Sequence, residues 1–161
     1  MKLELTNKII KNQRYRQLVK ELEDMEKDRI FCGHDMEHFL NVARIALILC
    51  QENGIEADCD IIYSAALLHD IGRVEEYRSG IPHDKASAVI AGDILSETGC
   101  PENVKREIIS LISAHRTAES GKTELEKIFF RADKKSRLCF CCKAQDECNW
   151  PEYKRNNEIG V

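Results

Sequence analysis

The stretch that decides the fold is Ala65-Ala66-Leu67-Leu68-His69-Asp70-Ile71-Gly72, in which an apolar run ends on an imidazole and a carboxylate. Ile61, Ala65 and Leu68 recur at helical spacing. They predict a helix from about residue 60 to the His69-Asp70 pair, with Gly72 ending it. Because a buried imidazole or carboxylate is costly without a partner, this pair needs a partner of its own at the edge of the core.

Outward from this segment the apolar spacing is helical nearly everywhere. Asp35 is predicted to cap one helix, and Thr123 with Glu126 forms a capping box for another. The predicted helices lie before about residue 29 and over about 35–54, 60–70, 84–99, 101–115 and 123–138. The stretch 73–82 is polar and is predicted to be a loop, and Val89 is expected on the buried face of the helix after it. With no alternating strand pattern, the sequence predicts an all-α bundle of five to seven helices.

Composition narrows the class of protein. At 161 residues the chain suggests one domain, since domains run to roughly 100–200 residues. We expect an N-terminal helix at 1–29, a helical core at 30–138 and a Cys-rich extension at 139–161. A net charge of −4 argues against dedicated nucleic-acid binding, and no run of about 18 apolar residues is present to cross a membrane. The N-terminus lacks the pattern of a signal peptide, so a cytoplasmic location is expected.

Histidines and carboxylates recur on or beside the predicted inner helix faces. They are His38, the His69-Asp70 pair, His83, His115 and Asp133. Each one taken alone is more often a hydrogen-bonded core residue or a helix cap. Their joint placement favours a shared metal, since borderline divalent metals take imidazole nitrogen together with carboxylate oxygen and bundle cores often supply such ligands.

These residues resemble the HD-domain superfamily of metal-dependent phosphohydrolases. The matching pieces are His38-x-x-x-Val42-x-x-x-Ala46, the Leu-Leu-His-Asp-Ile-Gly-Arg segment at 67–73, and Arg131-Ala132-Asp133. The resemblance covers roughly residues 30–138 and implies an all-helical core in which His38, His69, Asp70 and Asp133 bind one metal. His34 competes with His38 for the first position, and the spacing to Val42 and Ala46 favours His38.

Dinuclear members of that superfamily have two further histidines, which His83 and His115 resemble in position. The resemblance then implies that Asp70 bridges two ions. The alternative is one metal with His83 and His115 as acid/base or phosphate-contacting residues. The expected cofactor is one or two divalent transition-metal ions: iron, manganese, zinc, nickel or cobalt.

The expected reaction is hydrolysis of a phosphate ester by metal-activated water. The substrate expected is a nucleotide or a similar small phosphorylated metabolite, cleaved as a monoester or a diester. The catalytic candidates are Asp70, Arg73, His83 and His115. Lys85, Arg116 and Lys134 are weaker candidates for phosphate contacts. Glu75 and Glu76, on the predicted loop, are candidate general acids, with solvated surface glutamates as the alternative. An HD-fold diiron oxygenase and a non-enzymatic metal- or nucleotide-sensing module are the alternatives.

The C-terminal cysteines form a separate pattern. Four of the eight cysteines fall at 139–148, and Cys139-x-x-Cys142 with Cys148 is similar to a zinc knuckle. Cys141 or Cys32 is the candidate fourth ligand, and an iron–sulfur cluster would use the same ligand type. The alternative is a set of reduced thiols partly buried under Trp150 and Tyr153.

Overall fold

The structure is a computed structural model that describes residues 2–116 and 121–160. The described residues form eight α-helices and no strand, so the predicted all-α fold is confirmed. The helices are α1 (Glu4–Lys11), α2 (Gln13–Met25), α3 (Met36–Glu52), α4 (Cys59–Leu68), α5 (Arg73–Ser79), α6 (His83–Glu97), α7 (Glu102–Ala114) and α8 (Glu124–Lys135). Short 3₁₀ turns follow at Cys139–Cys141 and Glu152–Lys154.

Two helices of the structure are absent from the sequence prediction. The N-terminal stretch divides at Asn12, whose side chain accepts a hydrogen bond from Tyr15 N and caps α2. The predicted loop at 73–82 contains helix α5, which ends where Gly80 adopts the left-handed conformation with φ of 74°. Val74 is the one buried residue of α5, so its sequence shows almost no apolar stripe.

Helix α4 lies at the centre of the bundle, in contact with α1, α3 and α7. Its residues Ile61, Ile62 and 64–68 are all buried, as expected for a helix that is surrounded on every side. Helix α3 also packs on α8, and α6 packs on α7. The apolar core therefore encloses the end of α4, where the His69-Asp70 pair follows. No helix among residues 2–116 and 121–160 is long and apolar enough to cross a membrane.

Helix α6 departs from the sequence prediction at one position of its buried face, Val89. Ala86, Ile90 and Ile94 are buried, whereas Val89 is 68% exposed. The prediction for Val89 was wrong. Its spacing from Ala86 and Ile90 fits an apolar helix face, but spacing alone does not show how far around the helix the buried face extends.

Residues 139–160, named here the C-terminal segment, fold back onto the end of α8. The Asn156 side-chain amide donates to the carbonyls of Lys134 and Arg137, both at 2.8 Å. The Arg155 guanidinium donates to the carbonyls of Trp150, Cys148 and Gln145 at 2.8, 2.8 and 3.2 Å. These bonds give the segment a defined shape and hold it beside the end of α8.

Candidate metal centre

The His69-Asp70 pair follows α4 directly and is fully enclosed. His69 is 0% exposed and Asp70 is 1% exposed. The turn after them is fixed by Gly72 N, which donates to Ser87 Oγ on α6 at 2.8 Å. The buried helix thus carries two polar side chains into the interior, where they require partners.

All five histidines of the chain direct Nε2 at the Asp70 carboxylate. The Nε2 atoms of His69, His38 and His34 lie 3.0, 3.5 and 3.8 Å from Oδ2 of Asp70. Those of His83 and His115 lie 3.6 and 3.7 Å from Oδ1. Asp70 is therefore the shared centre of the histidine cluster.

The other ring nitrogen of each histidine is held by a separate partner. His69 Nδ1 and His115 Nδ1 donate to the carbonyls of Ala66 and Ile112 in the preceding helical turn. His83 Nδ1 lies 2.9 Å from Glu76 Oε2, and His34 Nδ1 lies 2.6 Å from Glu26 Oε1. His38 Nδ1 lies 3.0 Å from the hydroxyl of Ser136, which itself donates to the Asp133 carbonyl at 2.7 Å and so accepts from the ring. Such partners fix the tautomer with Nδ1 protonated and leave Nε2 as a metal ligand.

The ligand atoms form two groups that share Asp70. One contains His38, His69, Asp70 and Asp133, and the other contains Asp70, His83 and His115; within each group the atoms lie within 4.8 Å of one another. Asp133 Oδ1 lies 3.4 Å from His38 Nε2 and 3.8 Å from His69 Nε2. The first group uses Oδ2 of Asp70 and the second uses Oδ1, which is the arrangement of a carboxylate between two ions.

The unpartnered polar atoms test whether a metal fits these residues. Buried side-chain atoms that lack a hydrogen-bond partner in the described chain are concentrated in this cluster, with Tyr15 Oη as the exception elsewhere. They are His38 Nε2, His69 Nε2, His115 Nε2, Asp70 Oδ2 and Asp133 Oδ1. Leaving such atoms unpaired is costly, and each is a nitrogen or oxygen ligand suited to a divalent transition metal. The residues fit a metal.

The electrostatics agree with a cation at this position. Burial by itself raises the pKa of Asp70, but the His69 charge and the close contacts of the surrounding imidazoles hold the net pKa well below its usual value. The pKa of Asp133 is likewise held low against burial, chiefly by the nearby His69 ring and the Lys134 charge. Burial lowers the pKa of His38 and of His83 to about 4. Both carboxylates are therefore charged, and these two imidazoles are neutral, at neutral pH.

His69 has the opposite shift. Burial would lower its pKa, but the Asp70 charge and the contacts with Asp133 raise it to about 9. Without a metal, His69 accordingly holds a proton between the two carboxylates.

The structure brings together all six predicted metal ligands. Of the other predicted residues, two contact these ligands and two do not. Arg73 Nε donates to Asp70 Oδ1 at 2.8 Å, and Lys134 Nζ donates to Asp133 Oδ2 at 2.6 Å. Arg116 pairs with Asp84 at the surface, 44% exposed, and Lys85 is exposed. Arg73 and Lys134 are therefore at the centre, whereas Arg116 and Lys85 have no contact with its ligands.

Three further residues of the site were not identified from sequence. Glu26 orients His34, Ser136 orients His38, and Arg137 Nη2 lies 3.6 Å from Asp133 Oδ1. In the sequence, each of them fits equally well as a helix cap or as part of a polar helix face. Glu76 lies on helix α5 and not on a loop, and it orients His83; its role as a general acid stays a prediction.

The cysteines are all free thiols. In the described ranges, no three of their sulfur atoms lie within 4.8 Å of one another, although Cys32, Cys139, Cys142 and Cys148 surround one cavity. Burial raises the pKa of the Cys32 thiol, and the nearby Cys139 and Cys142 raise it further against the charge of Arg137. The predicted metal at Cys139, Cys142 and Cys148 stays a prediction.

Comparison with known proteins agrees with the geometry. The family model of the HD domain matches residues 35–138. An uncharacterised protein of Clostridium beijerinckii is 40% identical over 153 residues, covering 95% of this chain and 96% of its own. The crystal structure of a predicted HD superfamily hydrolase from an uncultured Thermotogales bacterium is similar in fold, with a TM-score of 0.62 and 24% identity over 88% of this chain and 80% of that one. The chain therefore belongs to the HD domain family.

Proposed function

We propose that the protein is a metal-dependent phosphohydrolase. The observation that carries this proposal is the Asp70 carboxylate, whose two oxygens face two separate groups of buried, unpartnered ligand atoms. Membership of the HD domain family supports the same reaction class. The fold alone would not assign the reaction, so the proposal depends on the ligand set.

The ligand set supports two ions. His38, His69 and Asp133 would hold the first, His83 and His115 the second, and Asp70 both. Divalent iron, manganese, zinc, nickel or cobalt would suit these ligands, because each accepts imidazole together with carboxylate. When bound, such an ion supplies a water of lowered pKa and polarises a phosphoryl oxygen.

Arg73 is the residue best placed to hold the phosphate. Its Nε is fixed by Asp70, while Nη2 lies 3.5 Å from His83 Nε2 at the second ligand group. Its guanidinium remains charged, because the neighbouring Asp70 charge raises its pKa against the effect of burial. A fixed cation beside the reacting phosphorus offsets the charge that develops in the transition state.

The proposed substrate is a phosphate ester of small size, such as a nucleotide, cleaved as a monoester or a diester. Arg73, Lys134 and Arg137 lie at the same cavity and contact Asp70 or Asp133, and they supply positive charge for one phosphate group. Charged donors of this kind bind phosphate oxygens strongly.

Hydrolysis of a panel of phosphate monoesters and diesters, including nucleotides, cyclic nucleotides and sugar phosphates, tests the proposal. Chelated protein would be reloaded in turn with manganese, iron, zinc, nickel or cobalt; free phosphate would be measured for monoesters and the monoester product for diesters. We expect hydrolysis that requires metal and is lost in Arg73→Ala, with Arg116→Ala as the control arginine outside the centre. No hydrolysis of any ester at full metal loading would contradict the proposal and favour a sensing module. Oxygen-dependent turnover instead would favour an oxygenase.

A further inference from the structure

A cavity of about 280 Å³ lies beside the metal centre. It is enclosed by the C-terminal segment and by the loop 26–35 between α2 and α3, named here the Cys32 loop. Its basic lining residues are Arg29, Arg73, Lys134, Arg137 and Arg155, and no carboxylate is among the described residues that line it. A concave surface with charge of one sign concentrates ligands of the opposite sign. The charge of its lining therefore favours binding of an anion.

Three basic residues connect the cavity to the metal centre, although none of the six candidate ligands lines the cavity itself. Arg73 lies 2.8 Å from Asp70 Oδ1, and Lys134 and Arg137 lie 2.6 and 3.6 Å from the two Asp133 oxygens. Both carboxylates belong to the candidate ligand groups. An anion held by these three cations would lie next to the ions, so the phosphate end of a substrate belongs here.

The outer end has a different chemistry. Trp150 is half-buried in the wall, and Phe31, 40% exposed, is a second aromatic ring in the same cavity. The side-chain amides of Gln145 and Asn149 line the same cavity, together with the thiols of Cys32, Cys139, Cys142 and Cys148. Aromatic faces bind planar rings by stacking, and amides donate to and accept from the edges of heterocycles.

The wall that carries Trp150 is held by its own network. Arg155 donates to the carbonyl of Trp150 and also bonds the carbonyls of Cys148 and Gln145. Asn156 ties the same segment to the end of α8. Trp150 is thus fixed at the cavity by the backbone fold of the C-terminal segment. The segment lies beyond residue 138, where the match to the HD domain model ends.

We infer that the C-terminal segment forms a ring-binding subsite of the active centre. The ligand class is a phosphate monoester with a planar, hydrogen-bonding ring, of which nucleoside monophosphates are the biological example. Its phosphate lies at Arg73, Lys134 and Arg137, and its ring stacks on Trp150. A volume of about 280 Å³ is just below the usual range of ligand cavities, roughly 300–1,000 Å³, and limits the ligand to one small molecule. The inference rests on the proposed function for the phosphate end only.

Two phosphonates test the subsite without any turnover. Phenylphosphonate carries a ring and methylphosphonate does not, and neither has a phosphate ester bond to cleave. Trp150 is the one tryptophan of the chain, so tryptophan emission reports on this position alone. We expect phenylphosphonate to change that emission and to bind metal-loaded protein about tenfold more tightly than methylphosphonate by calorimetry, since stacking on an aromatic residue gives roughly 5- to 100-fold.

The variants separate a stacking role from a structural one. In Trp150→Ala the ring preference falls to about twofold or less, and Trp150→Phe restores most of it. Tyr153→Ala is the matched control, because Tyr153 is an aromatic residue of the same segment that is 83% exposed and does not line the cavity. This control keeps the preference of the wild type.

The outcomes separate this inference from the proposed function. Equal binding of the two phosphonates, or a preference that survives in Trp150→Ala, would overturn the subsite even if phosphate esters are hydrolysed. Loss of the preference in Tyr153→Ala to the same extent would also overturn it. A ring preference that depends on Trp150, found in a protein that hydrolyses no ester, would support the subsite and contradict the phosphohydrolase proposal.

Discussion

His83 Nε2 lies 3.6 Å from Oδ1 of Asp70, the carboxylate oxygen opposite to the one that faces His38. In the proposed two-ion site, this geometry would place His83 as a ligand of the second ion. We expect His83→Ala to lose about one of the two bound metals while the first remains, as measured by metal content per chain. His34→Ala is the matched control, since His34 is also near Asp70 but belongs to neither ligand group. Retention of all the metal in His83→Ala with lost activity would instead indicate a mononuclear site.

The raised pKa of His69 predicts how the stability of metal-free protein depends on pH. The folded pKa of about 9 lies above the ordinary value of 6.5, so the stabilising effect is fully present below pH 6.5 and is lost as pH rises through 9. The free energy of unfolding of chelated protein in urea should fall by about 1 kcal/mol per pH unit between pH 7 and 8.5. His69→Gln should remove this slope. A stability that is flat over this range in the wild type would contradict the assignment of a proton to His69.

Gly72 permits the close crossing that positions His83. A Cβ atom at residue 72 would lie 2.2 Å from Ser87 N and 2.6 Å from the His83 carbonyl, both backbone atoms of α6. Gly72→Ala should therefore lower the free energy of unfolding by roughly 1–3 kcal/mol and reduce the occupancy of the second metal. Denaturation and metal content measure the two effects.

Gly92→Ala gives the matched control for that experiment. Its Cβ would meet only Ile109 Cδ1, at an ordinary 3.6 Å, and alanine favours the helix by roughly 1 kcal/mol. We expect this variant to be as stable as the wild type or more so. Equal stability of Gly72→Ala and Gly92→Ala would show that the α6 crossing is looser than the structure indicates.

The C-terminal cysteines are predicted to bind a structural ion of their own. Cys139, Cys142 and Cys148 line one cavity with Cys32, and closing a tetrahedral site would need their thiols to turn toward one another. Cys148→Ser should then lose one equivalent of zinc, or the visible absorption of an iron–sulfur cluster, while the His/Asp site stays loaded. Cys59→Ser, at the start of α4, is the control thiol. Equal total metal in the two variants would show that the C-terminal cysteines bind no ion and are reduced thiols.

The sequence predicted the ligands that lie on strongly apolar helices. His38 shares a face with Val42 and Ala46, and the His69-Asp70 pair ends the most apolar helix of the chain, so periodicity and the family motif both indicate them. The capping residues Asp35 and Thr123 also act as predicted, because a cap depends on a few neighbouring residues.

The features of the site that the sequence did not predict depend on contacts between elements that are distant in the chain. Glu26 is the C-cap residue of α2. Its hydrogen bond from His34 forms only because the Cys32 loop folds back beside the end of α2. Glu76 was a candidate acid on a predicted loop, but its contact with His83 depends on the largely polar helix α5, which the sequence did not predict. The cavity beside Trp150 likewise depends on how the C-terminal segment folds back, and no local pattern specifies that path.

The metal content of Asp70→Asn tests the central claim most directly. Asparagine keeps the shape of the side chain but removes the charge that both ligand groups share. Protein purified without chelators would be measured by mass spectrometry beside the wild type and beside Asp84→Asn, a carboxylate paired with Arg116 away from the centre. Counted apart from the ion predicted at the C-terminal cysteines, we expect two ions in the wild type and in Asp84→Asn, and loss of both in Asp70→Asn with its helical circular dichroism unchanged. Wild-type metal content in Asp70→Asn would contradict the central claim.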